Sequence, residues 1–401
     1  MEKQKRIDQN RMKYSVLYIV LLAILFAKPV LIAQPSSPSP LPVIPVFQAG
    51  EDGYRCFRIP AVVCSPQGLL LSFAEGRLRN CGDFGDVDIV VKTSADGGKT
   101  WSPLQVVVDY DSLQAGNPAP VFDLLNPAFP AGRLFLFYNT GNAPEHALRQ
   151  GQGHREVWYI SSEDAGKSWS APTNITAQVH RPGLPIELSP TTDIQPQGAD
   201  WRAFANTPGH ALQLDHGRIF VPANHSAGDP QAASRDYRAH AYFSDDHGST
   251  FRLSPDVDYP GSNESTAARL PGGGVLMSVR NESGDAKYRL LARSLSGGEA
   301  WDSTWIARDL PDPVCQGSLL NVVLKNGLPV LLHSNPASQT KRCCLSVKIS
   351  KDAGMHWELL REIYPGSAAY SDLVSLNAAT VGVLFEGDDY SRIYFAAFEL
   401  E

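Results

Sequence analysis

Helical periodicity is nearly absent from these 401 residues, which sets aside helical bundles and coiled coils. Charge is sparse too: charged residues make up 19% of the chain and the formal net charge is −7. A broadly basic nucleic-acid binder is thereby excluded, whereas one local cationic pocket is not. Cysteine is scarce, with only Cys56, Cys64, Cys81, Cys315, Cys343 and Cys344, so no dense disulfide framework holds a protein of this size. CxxC and HxxxH spacings are missing and the ten histidines do not fall into ligand spacing, so neither a metal nor another cofactor is expected. What abounds is Gly (33) and Pro (30), about one residue in six, as many short strands joined by turns require.

One apolar run stands apart, Tyr14 to Ala27, preceded by Lys3, Lys5, Arg6, Arg11 and Lys13 and followed by Leu31-Ile32-Ala33. A basic start, a run of 14 residues and a small residue at the presumed cut describe a secretory signal over residues 1–33. The alternative, an uncleaved anchor, meets a run short for a bilayer and the interrupting Lys28. Residues 34–45 are rich in Pro and Ser and read as a linker, leaving 46–401 as the domain. Export to a periplasm or the outside follows, or a lysosome in an animal host. Sequons stand at Asn174, Asn224, Asn263 and Asn281.

An octapeptide, S-x-D-x-G-x-x-[WF], recurs at Ser94–Trp101, Ser162–Trp169, Ser244–Phe251 and Ser350–Trp357, with a degenerate copy at Ser294–Trp301 where Ser296 replaces the Asp. The pattern suits a hairpin turn. The Asp can accept from turn N–H groups, the Gly supplies a positive φ, and the aromatic folds back onto the sheet. Apolar or alternating residues precede each copy, so a strand enters each turn. Copies start 68, 82, 50 and 56 residues apart, and the 368 residues after position 33 divide by six at about 61. The expected fold is all-β, a six-bladed β-propeller, with a β-sandwich array as the alternative. The last strand, Arg392–Phe398, is expected to pair with the N-terminal segment and close the ring.

Between repeats lie polar residues that a scaffold does not need. Arg58 sits inside the apolar stretch Phe57–Cys64, Arg280 ends a strand-like segment from Gly274, and Arg342 follows Ser334-Asn335-Pro336. Each alone is readily an ion pair or a surface cation. Three, from early, middle and late blades, would converge at a propeller axis, where guanidinium forks ask for an anion such as a carboxylate.

The Phe57-Arg58-Ile59-Pro60 segment, the repeated Asp-boxes and the three arginines in this order resemble the exo-sialidases (neuraminidases) of bacteria and animals, over about residues 46–400. The resemblance implies that Arg58, Arg280 and Arg342 grip the carboxylate of sialic acid, with Glu386 orienting Arg58. It makes Tyr370 the nucleophile, Glu264 its base and Asp83 the acid/base, with Asp86 and Asp88 competing for Asp83's place. Arg77 would reach the sugar's 4-hydroxyl, and Asn117 would contact the same region. A phenol suits a substrate whose own carboxylate repels a carboxylate nucleophile. The resemblance further implies retention of configuration through a tyrosyl-enzyme intermediate, and no metal. Expected partners are sialylated glycoconjugates, with no nucleic acid, no membrane after signal cleavage, and a monomeric enzyme. A non-catalytic propeller that binds sialylated or anionic glycans is the alternative; transfer of sialic acid to another sugar would use the same machinery.

Overall fold

The structure, a computed structural model, describes residues 41–182, 186–188, 192–194 and 199–400. The expected signal and most of the linker lie outside the described residues.

Strands succeed one another in antiparallel runs. Cys56–Cys64, Leu70–Arg77, Val87–Ser94 and Gln105–Val108 form one. Gln114–Asp123, Arg133–Gly141, Arg155–Ser162 and Thr173–Asn174 form the next, joined to the first by a single parallel bridge, Val87 to Gln114. Trp201–Asn206, Ile219–Ala227, Tyr237–Ser244 and Arg252–Leu253 follow, then Ser262–Arg269, Val275–Asn281, Tyr288–Ser294 and Ser303–Pro311. The long strand Glu358–Asn377 serves two runs. Its first half pairs with Cys343–Ser350, and its second half pairs with Thr380–Gly387. Ring closure is made by Ile44–Gln48, which pairs antiparallel with Arg392–Glu399. That strand starts two residues earlier than the domain boundary expected from the Pro/Ser composition, because Ile44 already pairs with Phe395. A sandwich array has no such closure; the chain is a β-propeller.

No single core exists. Apolar clusters lie between successive runs: Phe73 and Ile89 pack with Leu134 and Leu136, and Phe135 and Phe137 pack with Phe204 and Tyr242. The series ends where Phe57 and Val62 meet Val374, Leu384 and Phe395, so the last run packs on the first.

The repeated turns behave as their residues dictate. Asp96 accepts from the N–H groups of Lys99 and Thr100 at 3.0 Å each, and from the Thr100 hydroxyl at 2.6 Å. Gly98 has φ +88°, and a Cβ there would come within 2.1 Å of the Phe395 ring in the neighbouring run. Glycine is needed twice over, for the backbone angle and for the close approach. Trp101 folds back, donating to the Gly98 carbonyl at 3.2 Å and meeting Phe395 edge-on at 5.5 Å. In the degenerate copy, Ser296 Oγ accepts from Ala300 N–H at 3.1 Å and replaces the missing carboxylate.

Candidate active site

Pairing register slips in the strand that opens several runs. The slips fall between Arg58 and Ala61, Gly116 and Ala119, Ser262 and Ser265, and Ala368 and Ser371. Bulges of this kind re-aim side chains, and the residues beside them are Arg58, Asn117, Glu264 and Tyr370. Ile59 is held at φ +59° and Asn117 at φ +54°; for a β-branched residue that is a costly angle, stored at a site. The bulged strand ends, with the loop Leu78–Asp86 and the ends of the strands bearing Arg280 and Arg342, surround a cavity of ≈ 380 Å³. Its lining carries six arginines and five carboxylates.

Glu386 is the anchor of one wall. Fully buried, it accepts from Arg58 Nε at 2.6 Å and Nη2 at 3.3 Å, from the Ile59 N–H at 3.0 Å and from the Tyr370 N–H at 3.2 Å. One carboxylate thus fixes the first arginine, the strained residue after it and the backbone of Tyr370. The Arg58 guanidinium also lies over the Tyr390 ring, 4.3 Å from its centre.

Tyr370 is the meeting point of the arginines. Its hydroxyl donates to Glu264 Oε1 at 2.6 Å and accepts from Arg280 Nη1 at 3.0 Å, while Arg280 Nη1 also reaches Glu264 Oε2 at 2.7 Å. The Arg58 and Arg342 guanidinium carbons lie 5.4 and 5.8 Å from its ring centre. Burial, and then the nearby Glu264 charge, push the phenol well above its ordinary pKa, so it is neutral at rest. The Arg280 charge works in the opposite sense and favours the phenolate form. Ile59, Cys315 and Ala369 pack beside the ring as an apolar floor.

Arg342 is held by the Val314 carbonyl at 3.0 Å and the Tyr390 hydroxyl at 3.2 Å. Among the described residues it has no carboxylate within ion-pair distance, unlike Arg58 (Glu386) and Arg280 (Glu264 and Glu282). Its positive charge faces the cavity unmatched.

Asp83 occupies the rim. Its side chain is 82% exposed, 2.9 Å from Arg77 Nη1 and 3.9 Å from Arg58 Nη1. Partial enclosure pushes its pKa up, but the Arg77 charge and hydrogen bond, with help from Arg58, outweigh this and the net shift is downward. The competing positions point elsewhere: Asp86 faces Arg79 at 3.8 Å, and Asp88 is buried and accepts from the Tyr54 hydroxyl at 2.6 Å. The loop holding Asp83 is pinned by a disulfide from Cys56, two residues before Arg58, to Cys81. Arg77 is buried, clamped by Glu75 Oε2 at 2.7 and 3.0 Å. Glu75 Oε1 accepts from the Asn117 N–H at 2.9 Å. Every site residue picked from the sequence borders this cavity except Glu386, which stands behind Arg58.

Three contributors escaped sequence reasoning. Glu75 stands two residues before Arg77 in an apolar strand, on the same face by the period of two, and that spacing was a usable signal. Tyr390 and Glu282 carried none. Two expected glycan acceptors, Asn224 and Asn263, line the cavity, and Asn281 is 1% exposed, so these three are unsuited to carrying a glycan.

Residues 68–383 match the BNR repeat-like domain family. The sialidase of Micromonospora viridifaciens is 31% identical over 84% of this chain, which spans only 50% of that relative's length. The exo-alpha-sialidase of Aspergillus fumigatus is 30% identical over 84% of this chain and 80% of its own length. Among solved structures, the Hadza microbial sialidase Hz136 superposes with a TM-score of 0.75 at 25% identity, covering 89% of this chain and 68% of that one.

Proposed function

We propose that this chain, which belongs to the sialidase family, is a retaining exo-α-sialidase that removes terminal sialic acid from glycoproteins, glycolipids and oligosaccharides. Tyr370 is the nucleophile and its contacts with Glu264 and Arg280 carry the proposal: a neutral phenol, a carboxylate to take its proton, and a cation to stabilise the oxyanion that results. Arg58, Arg280 and Arg342 bind the substrate carboxylate. The uncompensated charge of Arg342 supports this, since an anion entering the cavity supplies what the protein leaves out.

The steps follow from these positions. Asp83 protonates the departing glycosidic oxygen while the Tyr370 oxygen bonds to the anomeric carbon and its proton passes to Glu264. Asp83, now a carboxylate, draws a proton from water as that water attacks the same carbon, and the Tyr370 oxygen leaves the carbon and takes its proton back from Glu264. Two displacements retain configuration. Acid help of this kind is worth ~10²–10⁴-fold. Because Asp83 titrates low in the free protein, the reaction is fastest on the acid side of neutrality. Arg77, fixed by Glu75, and Asn117 meet the sugar's hydroxyl groups at the rim.

The antiparallel runs, with ring closure by Ile44–Gln48, support a reading of six blades. The protein acts as an exported monomer after removal of residues 1–33.

Hydrolysis of a fluorogenic sialoside tests the proposal. Wild type turns over, and Tyr370→Phe loses at least about 10³-fold in kcat. A fluorinated sialoside that slows the second step leaves a mass increment on the Tyr370 peptide, and proton NMR shows the first-released sugar in the substrate's anomeric form. A wild type inactive on every linkage, yet binding sialosides, leaves the glycan-binding alternative in its place. Product transfer to added lactose identifies a transferase.

A further inference from the structure

Away from the arginine-lined cavity, two imidazoles and a carboxylate meet on adjacent strands. His225 and His240 project from Ile219–Ala227 and Tyr237–Ser244 and are buried. Asp256 follows the next strand, Arg252–Leu253, and its side chain is 41% exposed. One potential ligand atom from each residue lies within 4.8 Å of the other two. His225 Nδ1 and His240 Nδ1 are 3.2 Å apart, and His225 Nε2 is 3.6 Å from Asp256 Oδ2. Two ligands each ~2.0 Å from one tetrahedral ion stand ~3.3 Å apart; the facing Nδ1 pair has this spacing, while the Asp256 contact is made to the opposite nitrogen of the His225 ring and brings the carboxylate within reach of the cluster.

Protein atoms alone serve this cluster poorly. His225 Nε2 and His240 Nε2 find no hydrogen-bond partner among the described residues, an omission that costs stability in an interior. The facing Nδ1 atoms can share one proton. If His225 donates it, its neutral ring presents a bare lone pair at Nε2 to the Asp256 carboxylate, acceptor against acceptor. If His240 donates, its own Nε2 is the bare one. A cation taken up between the facing Nδ1 atoms replaces the shared proton, so each ring carries its hydrogen at Nε2 and that of His225 points at the Asp256 carboxylate. The rings are also held in place: Trp201 stacks on His225 with centres 3.6 Å apart and planes at 12°, and it borders His240 at 4.9 Å.

We propose that His225, His240 and Asp256 form a binding site for a zinc-type divalent cation. Two imidazole nitrogens and one carboxylate oxygen bind the ion, and water completes the tetrahedron on the exposed side of Asp256. The donor set selects zinc and its transition-metal neighbours over calcium and magnesium, which prefer oxygen. None of the three residues lines the arginine cavity, so the ion braces the sheet and takes no part in bond cleavage. Linear spacing in the sequence hides the site because its ligands come from three separate strands or their connections.

The untagged full chain, stripped with chelator and desalted, tests this by calorimetric titration with Zn²⁺. One equivalent binds at micromolar or tighter affinity, added Co²⁺ gives the visible absorption of a tetrahedral nitrogen–oxygen site, and the thermal midpoint rises by roughly 2–5 °C. Asp256→Asn, on an exposed position, stays folded by circular dichroism and keeps wild-type sialoside hydrolysis, but binds Zn²⁺ at least about tenfold more weakly. His240→Gln loses the Co²⁺ spectrum. Absence of saturable one-equivalent binding overturns the proposal. So does undiminished binding by Asp256→Asn, which would place the metal elsewhere, as at the exposed His356–Asp352 pair.

Discussion

The rim turns and the central cavity are both rich in Asp, Glu and hydroxyl groups, yet they are assembled on opposite plans. At the rim, Asp164 meets all of its partners within four residues: the N–H groups of Lys167 and Ser168 and the hydroxyls of Ser168 and Ser162. In the cavity, Arg58 and Glu386 are 328 positions apart, and Tyr370 and Glu264 are 106 apart. A local turn carries its whole energy in eight letters, so it repeats and tolerates variation, as Ser296 shows. A hub contact depends on two or more strand ends arriving together. It has no substitute nearby, and buried partners left unpaired are costly. Loss of one rim turn is therefore expected to lower stability slightly, and loss of one hub partner to remove function outright.

The sharpest test of this contrast is Glu386→Gln. One buried carboxylate there holds a guanidinium and two backbone N–H groups, so kcat/KM is expected to fall roughly 10²–10³-fold. A fall under about fivefold would mean that the arginine holds its pose unaided. Arg77→Gln comes next. Arg77 depresses the Asp83 pKa, and the proposed acid must be protonated, so activity falls as pH rises through that pKa. Removing the cation raises it, and the alkaline limb of the kcat/KM profile moves to higher pH even as affinity declines. A limb that stays put or moves down excludes Asp83 as the acid. Replacing Cys56 and Cys81 together with Ser frees the loop under Asp83. The thermal midpoint is expected to drop by several degrees, with a larger rise in KM than fall in kcat, and steady-state kinetics separate the two. Smallest is Asp164→Ala. Hydrogen bonds from Ser168 hold this exposed carboxylate down to about 2, below its unfolded value of ~3.9. Its contribution is present above pH ~4 and is lost as pH falls through its folded value. Thermal melts should show a deficit of about 1–3 °C at neutral pH that vanishes in strong acid, with hydrolysis unchanged.

Legibility followed the same divide. The rim was readable because Ser94, Asp96, Gly98 and Trp101 recur at fixed offsets and each has a local reason to be there. Within the hub, single residues were readable where a charge interrupts an apolar strand, as Arg58 and Arg280 do. Their assembly around one phenol came only through the family resemblance, because pairing register and bulges decide which side chains turn inward, and no short window encodes a register slip. Asp83 competes with Asp86 and Asp88 in the sequence for this reason; in the loop pinned by Cys81, Asp83 alone of the three lines the cavity. Partners such as Tyr390, whose only role is to face something distant, left no trace at all.

Ring closure by Ile44–Gln48 against Arg392–Glu399 sets a timetable for biosynthesis. Glu386 leaves the ribosome 328 residues after Arg58, the partner it must hold, and the closing strand follows it. A nascent or prematurely terminated polypeptide thus displays many finished blades but no assembled hub, which forms in one step once Glu386 and the strand after it have emerged. Proteolytic loss of either tail of the domain would silence it just as abruptly.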